Sequence, residues 1–131
     1  MKAETLEMGE KFQLNAGIYG SVSEFYVALW EHLDLLVSGT RWLHAYEILP
    51  FQEREARLST RFDTIKSMQI DRRLLDSLRD QQNKTIELAK LFIKTKGADS
   101  EIRGRVEEWK VTVQELGLEF ARLEVVNSRE G

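Results

Sequence analysis

Two histidines, a pair of adjacent glutamates, a closely spaced pair of glycines and a row of arginines are the residues of this 131-residue chain whose types could carry chemistry. His32 and His44 stand twelve residues apart. On one helix, at about 100° and about 1.5 Å per residue, their rings would be about 120° apart around the axis and about 18 Å apart along it, so they cannot share a metal. A carboxylate-bridged di-iron bundle needs Glu-x-x-His on two inward-facing helices, whereas His44-Ala45-Tyr46-Glu47 has the reverse order and occurs once. Both histidines are therefore expected as surface or boundary residues. The chain has no cysteine, which removes thiolate metal sites, disulfides and cysteine nucleophiles and fits a reducing compartment. It has no Gly-x-Ser-x-Gly elbow either. Gly17-Ile18-Tyr19-Gly20 lacks the lysine and the preceding strand of a phosphate-binding loop and reads as a turn. Glu107 and Glu108 fall on a solvated helix face, the ordinary place for carboxylates. The expectation is a chain with no enzymatic activity, no catalytic, cofactor-binding or metal-ligating residue, and no cofactor.

Arg54, Arg57 and Arg61, spaced three and four apart, line one face of a helix, with Arg72 and Arg73 further on. A phosphate-binding surface would want these cations unopposed. Glu53, Glu55 and Asp63 are interleaved, and residues 51 to 84 hold eight basic against six acidic residues. That mixture is the dressing of a solvated, ion-paired helix exterior. With a net charge of −3, nucleic acid is not the expected partner.

The elements that must position these residues are helices. A single proline, no cysteine and long periodic stretches indicate an all-α chain. The clearest period is Ile102, Val106, Trp109, Val113, Leu116, Phe120 and Leu123, stepping four and three alternately, with charged residues beside it. Trp109, in the middle, is expected in the core, where truncation to Ala would cost roughly 3 to 5 kcal/mol. Val22, Tyr26, Leu29, Leu33 and Leu36 repeat the pattern, and Val27, Trp30, Leu35 and Val37 make most of that helix's remaining circumference apolar. Ser21 and Glu24 form a capping-box pattern that starts this helix at Val22. Leu43 keeps its phase, so it is expected to run to about Leu49, where Pro50 turns the chain and can sit in the first turn of the next helix.

Between Phe51 and Lys96 the seam of Leu58, Phe62, Ile65 and Met68 slips before Leu75 and Leu78, which favours two helices with Asp71 capping the second. The polar run Arg79 to Thr85 is expected to face solvent. Lys94, Lys96 and Gly97 form a helix end, and Asp99 or Ser100 caps the last helix. The fold expected is all-α: an elongated antiparallel helical bundle of three to four long helices with coiled-coil-like packing, occupying residues 21–128. Residues 1–20 are expected to be an N-terminal segment of weak helix and glycine-containing loop. No run approaches the roughly 18 apolar residues of a membrane span, and the opening has no signal-peptide core, so a cytoplasmic chain is expected.

Phe25-Tyr26-x-x-Leu29-x-Glu31-x-Leu33-x-x-Leu36, with Glu53-Arg54-Glu55 downstream, resembles a long arm helix of the V-shaped domain in Bro1-type endosomal sorting adaptors. The resemblance covers about a quarter of the chain, which departs from the pattern at Pro50; it implies a scaffold or adaptor of membrane traffic. A second apolar line supports an interaction role independently. Val111, Leu118 and Val125 are spaced by sevens, lie roughly opposite the main seam, and continue towards Val126. These four are the expected partner-binding residues, receiving a protein partner or a second copy of the chain. The function read from the sequence is thus a non-catalytic protein–protein interaction module of a scaffold or adaptor. The alternative is a small regulatory protein that binds nucleic acid or a nucleoprotein machine.

Overall fold

The computed structural model describes Leu14 and residues 16–38 and 49–130, with side chains described at Leu14, 16–37 and 52–128. Four helices account for nearly all of these residues: α1 (Ala16–Ser38), α2 (Leu49–Lys66), α3 (Arg72–Lys94) and α4 (Ser100–Glu130). Among the described residues there is no strand.

The helix boundaries follow local chemistry. Leu49 opens α2 and Pro50 sits in its first turn, where a missing N–H costs nothing and the fixed φ suits a helix. Asp71 caps α3, its Oδ1 accepting from the Arg73 backbone N–H at 2.8 Å. Two hydrogen bonds from the Arg73 side chain and one from its backbone hold the Asp71 carboxyl below the usual carboxylate range. At the other end of α3 the Gly97 N–H donates to Phe92 O and the Lys96 N–H to Ile93 O, with Lys96 and Gly97 both left-handed at φ 55° and 72°. Asp99 caps α4, accepting from the N–H groups of Glu101 and Ile102 at 3.0 and 3.2 Å.

The start of α1 differs from the capping-box expectation. The helix begins at Ala16, five residues before Ser21, and Gly17 and Gly20 lie inside it. Gly20 is buried, and a Cβ there would overlap the Glu124 carboxylate of α4. That glycine lies within the helix under the Glu124 side chain and not in a turn. The expected continuation of this helix through Leu43 to Leu49, and the weak helix expected before Leu14, fall outside the described residues.

The pairwise contacts fix the topology. Glu24 meets Arg61, and Glu31 meets Arg54, so α2 runs antiparallel to α1. Tyr19 and Tyr26 pack on Phe120, while Asp34 meets Lys110, so α4 is antiparallel to α1 as well. Trp109 meets Thr85, and Arg103 lies over Phe92, which sets α3 antiparallel to α4. The result is an up-down-up-down bundle. Helix α1 packs against all three others, most extensively against α4, and this is why it is apolar around most of its circumference. Its seam residues Val22, Tyr26, Leu29, Leu33 and Leu36 are buried, as are Val106, Val113, Leu116, Phe120 and Leu123 of α4.

Three expectations need correction. His32 is wholly buried: it lies three residues after Leu29 and four before Leu36, on the inward face of α1. Trp109 is only partly buried, because its indole spans the rim between α3 and α4. The run Arg79 to Thr85 is not a solvent face throughout. Thr85 is fully buried, its hydroxyl donating to Gln81 O at 2.9 Å and accepting from Trp109 Nε1 at 2.8 Å. The buried Tyr26 phenol donates to Gln81 Oε1, so one polar chain ties α1, α3 and α4 together. Burial holds the Tyr26 phenol protonated far above its ordinary range.

Candidate functional site

The residues with chemical potential are dispersed. His32 sits in the core, and desolvation, helped by the nearby Arg54 charge, lowers its pKa to about 4. It is therefore neutral at pH 7 and shielded from solvent. His44 lies outside the described residues. Among the described residues no three His, Asp or Glu side chains converge to hold a metal ion. Glu107 and Glu108 are exposed on α4.

The arginine row is used internally. Arg54 is paired with Glu31, Arg57 lies 3.8 Å from the same carboxylate, and Arg61 lies 3.0 Å from Glu24. These pairs bridge α2 to α1, and Arg73 is bound to Asp71. Cations already facing carboxylates make a poor phosphate surface, because a phosphate would have to displace the acid from each.

The second line on α4 stands apart. Leu118 is 65% exposed, and Val111 and Val125 are about half exposed. Successive positions seven apart drift by only about 20°, so the three form one straight stripe on the side of α4 away from the core. Val126 is exposed too, but it lies about 80° around the helix from Leu118, on the opposite flank from α1.

Beside the stripe, between α1 and α4, runs a groove of about 260 Å³ lined by Ser23, Tyr26, Val27 and Trp30 on one side and by Val113, Gln114, Gly117, Leu118 and Ala121 on the other. Gly117 makes its floor. Ser23 Oγ donates to Gly117 O at 3.0 Å, and a Cβ on Gly117 would lie 3.1 Å from Tyr26 Cβ, so the two helices touch closely here and diverge above. Beside Trp30, Lys110 bridges the two helices, its Nζ 2.6 Å from Asp34 Oδ1 and 5.1 Å from the Trp30 ring centroid.

The structure thus brings Val111, Leu118 and Val125 together and sets Val126 aside. It adds Val27, 48% exposed on α1, which the spacing of α4 could not reveal. The signal for Val27 lay in α1 itself, where it was one apolar residue more than three packing partners needed. Among the described residues no helix is long and apolar enough to cross a membrane. Compared with known proteins, the chain matches no family model, no curated protein and no solved structure.

Proposed function

We propose that this chain is a non-catalytic helical protein–protein interaction module of scaffold or adaptor type, acting in the cytoplasm, with the α4 stripe as its docking surface. The observation that carries this reading is the exposed line of Val111, Leu118 and Val125, bordered by Val27 and an apolar groove. A bundle whose core is already closed gains nothing from such a line, and contiguous exposed apolar surface is the usual mark of an association site. The Bro1-like spacing adds little to it. Phe25, Tyr26, Leu29, Leu33 and Leu36 are all buried and Glu31 pairs with Arg54, so packing accounts for that pattern and the proposal is limited to the interaction role.

The test is Leu118→Lys in the full chain. Its stability in thermal unfolding should change by no more than an ordinary surface substitution, about 0.5 kcal/mol, while affinity capture loses the bound protein. Leu116→Lys, which places a charge in the core, should unfold the domain. If Leu118→Lys unfolds the monomer or leaves every captured protein in place, the stripe is not a docking surface.

A further inference from the structure

We infer that the occupant of this stripe is a second copy of the same chain, its α4 packed antiparallel on the first about a two-fold axis at Leu118. This rests on the stripe being an interaction surface and goes further by naming the partner. The stripe reads the same in both directions, since Leu118 has a valine seven residues before it and a valine seven residues after it. An isologous contact needs a patch of that self-complementary kind. About the axis Leu118 meets Leu118 of the second copy, and each Val111 meets Val125 of the other chain.

A parallel pairing would match the apolar residues equally well, so the charges decide between the two. Glu115 and Arg122 lie on the same flank of the stripe, about 60° and about 40° around from Leu118. In the antiparallel arrangement Glu115 of each copy falls beside Arg122 of the other, giving two ion pairs. A parallel arrangement sets that flank against the uncharged Gln114 and Ala121 flank of the other copy and gains neither ion pair. Within the chain Arg122 reaches Glu119. On the other flank Gln114 and Ala121 carry no charge, and the groove leads across to Val27 of α1. From Val111 to Val125 the stripe spans about 21 Å. One helix face of that length makes a small interface beside the roughly 800 Å² per partner of a standard one, so the dimer is a reversible one.

Sedimentation equilibrium of the full chain from about 5 µM to 1 mM tests this. The mass should rise from monomer to dimer, and Leu118→Lys should hold it at monomer throughout. Glu115→Arg and Arg122→Glu should each weaken the dimer roughly tenfold, and an equimolar mixture of the two variants should restore it, since the heterodimer regains both ion pairs. Register is read by cross-linking, which the absence of native cysteine makes clean. Leu118→Cys should oxidise to a disulfide dimer faster than an exposed control, Gln69→Cys, and Val111→Cys should link to Val125→Cys but not to itself. A chain that stays monomeric to 1 mM overturns the self-pairing, while the capture result with Leu118→Lys separately decides whether the stripe binds anything else. Preferential linkage of Val111→Cys to itself, or a mixture of charge variants no tighter than either alone, overturns the antiparallel register.

Discussion

His32 is the residue whose burial most changes the behaviour of the chain with pH. Its folded pKa of about 4 lies below the ordinary value of about 6.5 for an exposed imidazole. Between these values the unfolded chain binds a proton that the folded chain does not, so stability rises with pH there. The contribution is fully present above about pH 6.5 and is lost as the pH falls through about 4. Between pH 7 and pH 5 the loss from this group is about 2 kcal/mol. Urea titrations at the two pH values should show it, and a His32→Leu chain should lack most of the difference. The burial was legible, since residues 29, 32, 33 and 36 recur at three- and four-residue steps on one face, but residue type suggested otherwise. The same holds for Gln81 and Thr85. Leu74, Leu78, Gln81, Thr85, Leu88 and Phe92 step four, three, four, three, four, so two polar residues occupy seam positions. Their polarity is satisfied by Tyr26 and Trp109, partners from other helices that no local pattern reveals. Trp109, half-buried and hydrogen-bonded to Thr85, should cost about 2 to 3 kcal/mol on truncation to Ala, less than a fully buried tryptophan. Trp109→Phe, which keeps an aromatic ring but loses the N–H donor and part of the indole's bulk, should cost about 1 to 2 kcal/mol in thermal or urea unfolding.

At the scale of the element, helix ends that depend on a side chain and its own near neighbours could be read from the sequence. Asp71, Asp99, Gly97 and Pro50 all act within a few residues of themselves. The start of α1 could not, because what decides it is α4. Gly17 and Gly20 look like breakers, and Ser21 with Glu24 looks like a cap, until Glu124 is placed over Gly20. The glycines therefore separate into kinds, and three substitutions to alanine should differ in sign. Gly104 is exposed inside α4, and a Cβ there would meet nothing within 4 Å, so Gly104→Ala should raise stability by about 0.5 to 1 kcal/mol through helix propensity alone. Gly97→Ala should lower it by about 1 kcal/mol, since φ there is 72°. Gly117→Ala gains the same propensity as Gly104→Ala but brings its Cβ to 3.1 Å from Tyr26 Cβ, near the α1 backbone, so its gain should be cancelled or reversed. Equal stabilisation by Gly104→Ala and Gly117→Ala would show that α1 and α4 approach each other less closely than these distances require.

For the whole molecule, the arrangement follows from one helix having too much apolar surface for fewer than three neighbours. Short links at 95–99 and 67–71 force antiparallel neighbours, and that part of the topology was legible. The central place of α1 was legible from its near-complete apolar circumference. Which helix lay beside α1 for most of its length was not, because the α1–α4 contact joins residues about a hundred positions apart, such as Ser23 with Gly117 and Tyr26 with Phe120. A shared central helix has a thermodynamic consequence. Since α2 and α4 pack mainly against α1, and α3 packs against all three, none can unfold and leave the others with a covered core, and the chain should unfold in one cooperative step. Two tryptophans report on different places: Trp30 at the α1–α4 groove beside Lys110, and Trp109 at the α3–α4 rim under Lys84. Urea unfolding followed by fluorescence in Trp30→Phe and Trp109→Phe chains, both also carrying Trp42→Phe so that one tryptophan remains, and each also followed by far-ultraviolet circular dichroism, should give one midpoint per chain whichever probe is used. Were the α3–α4 hairpin an independent unit, the Trp109 signal would change at a different urea concentration from the helical signal, and the central role given to α1 would have to be abandoned.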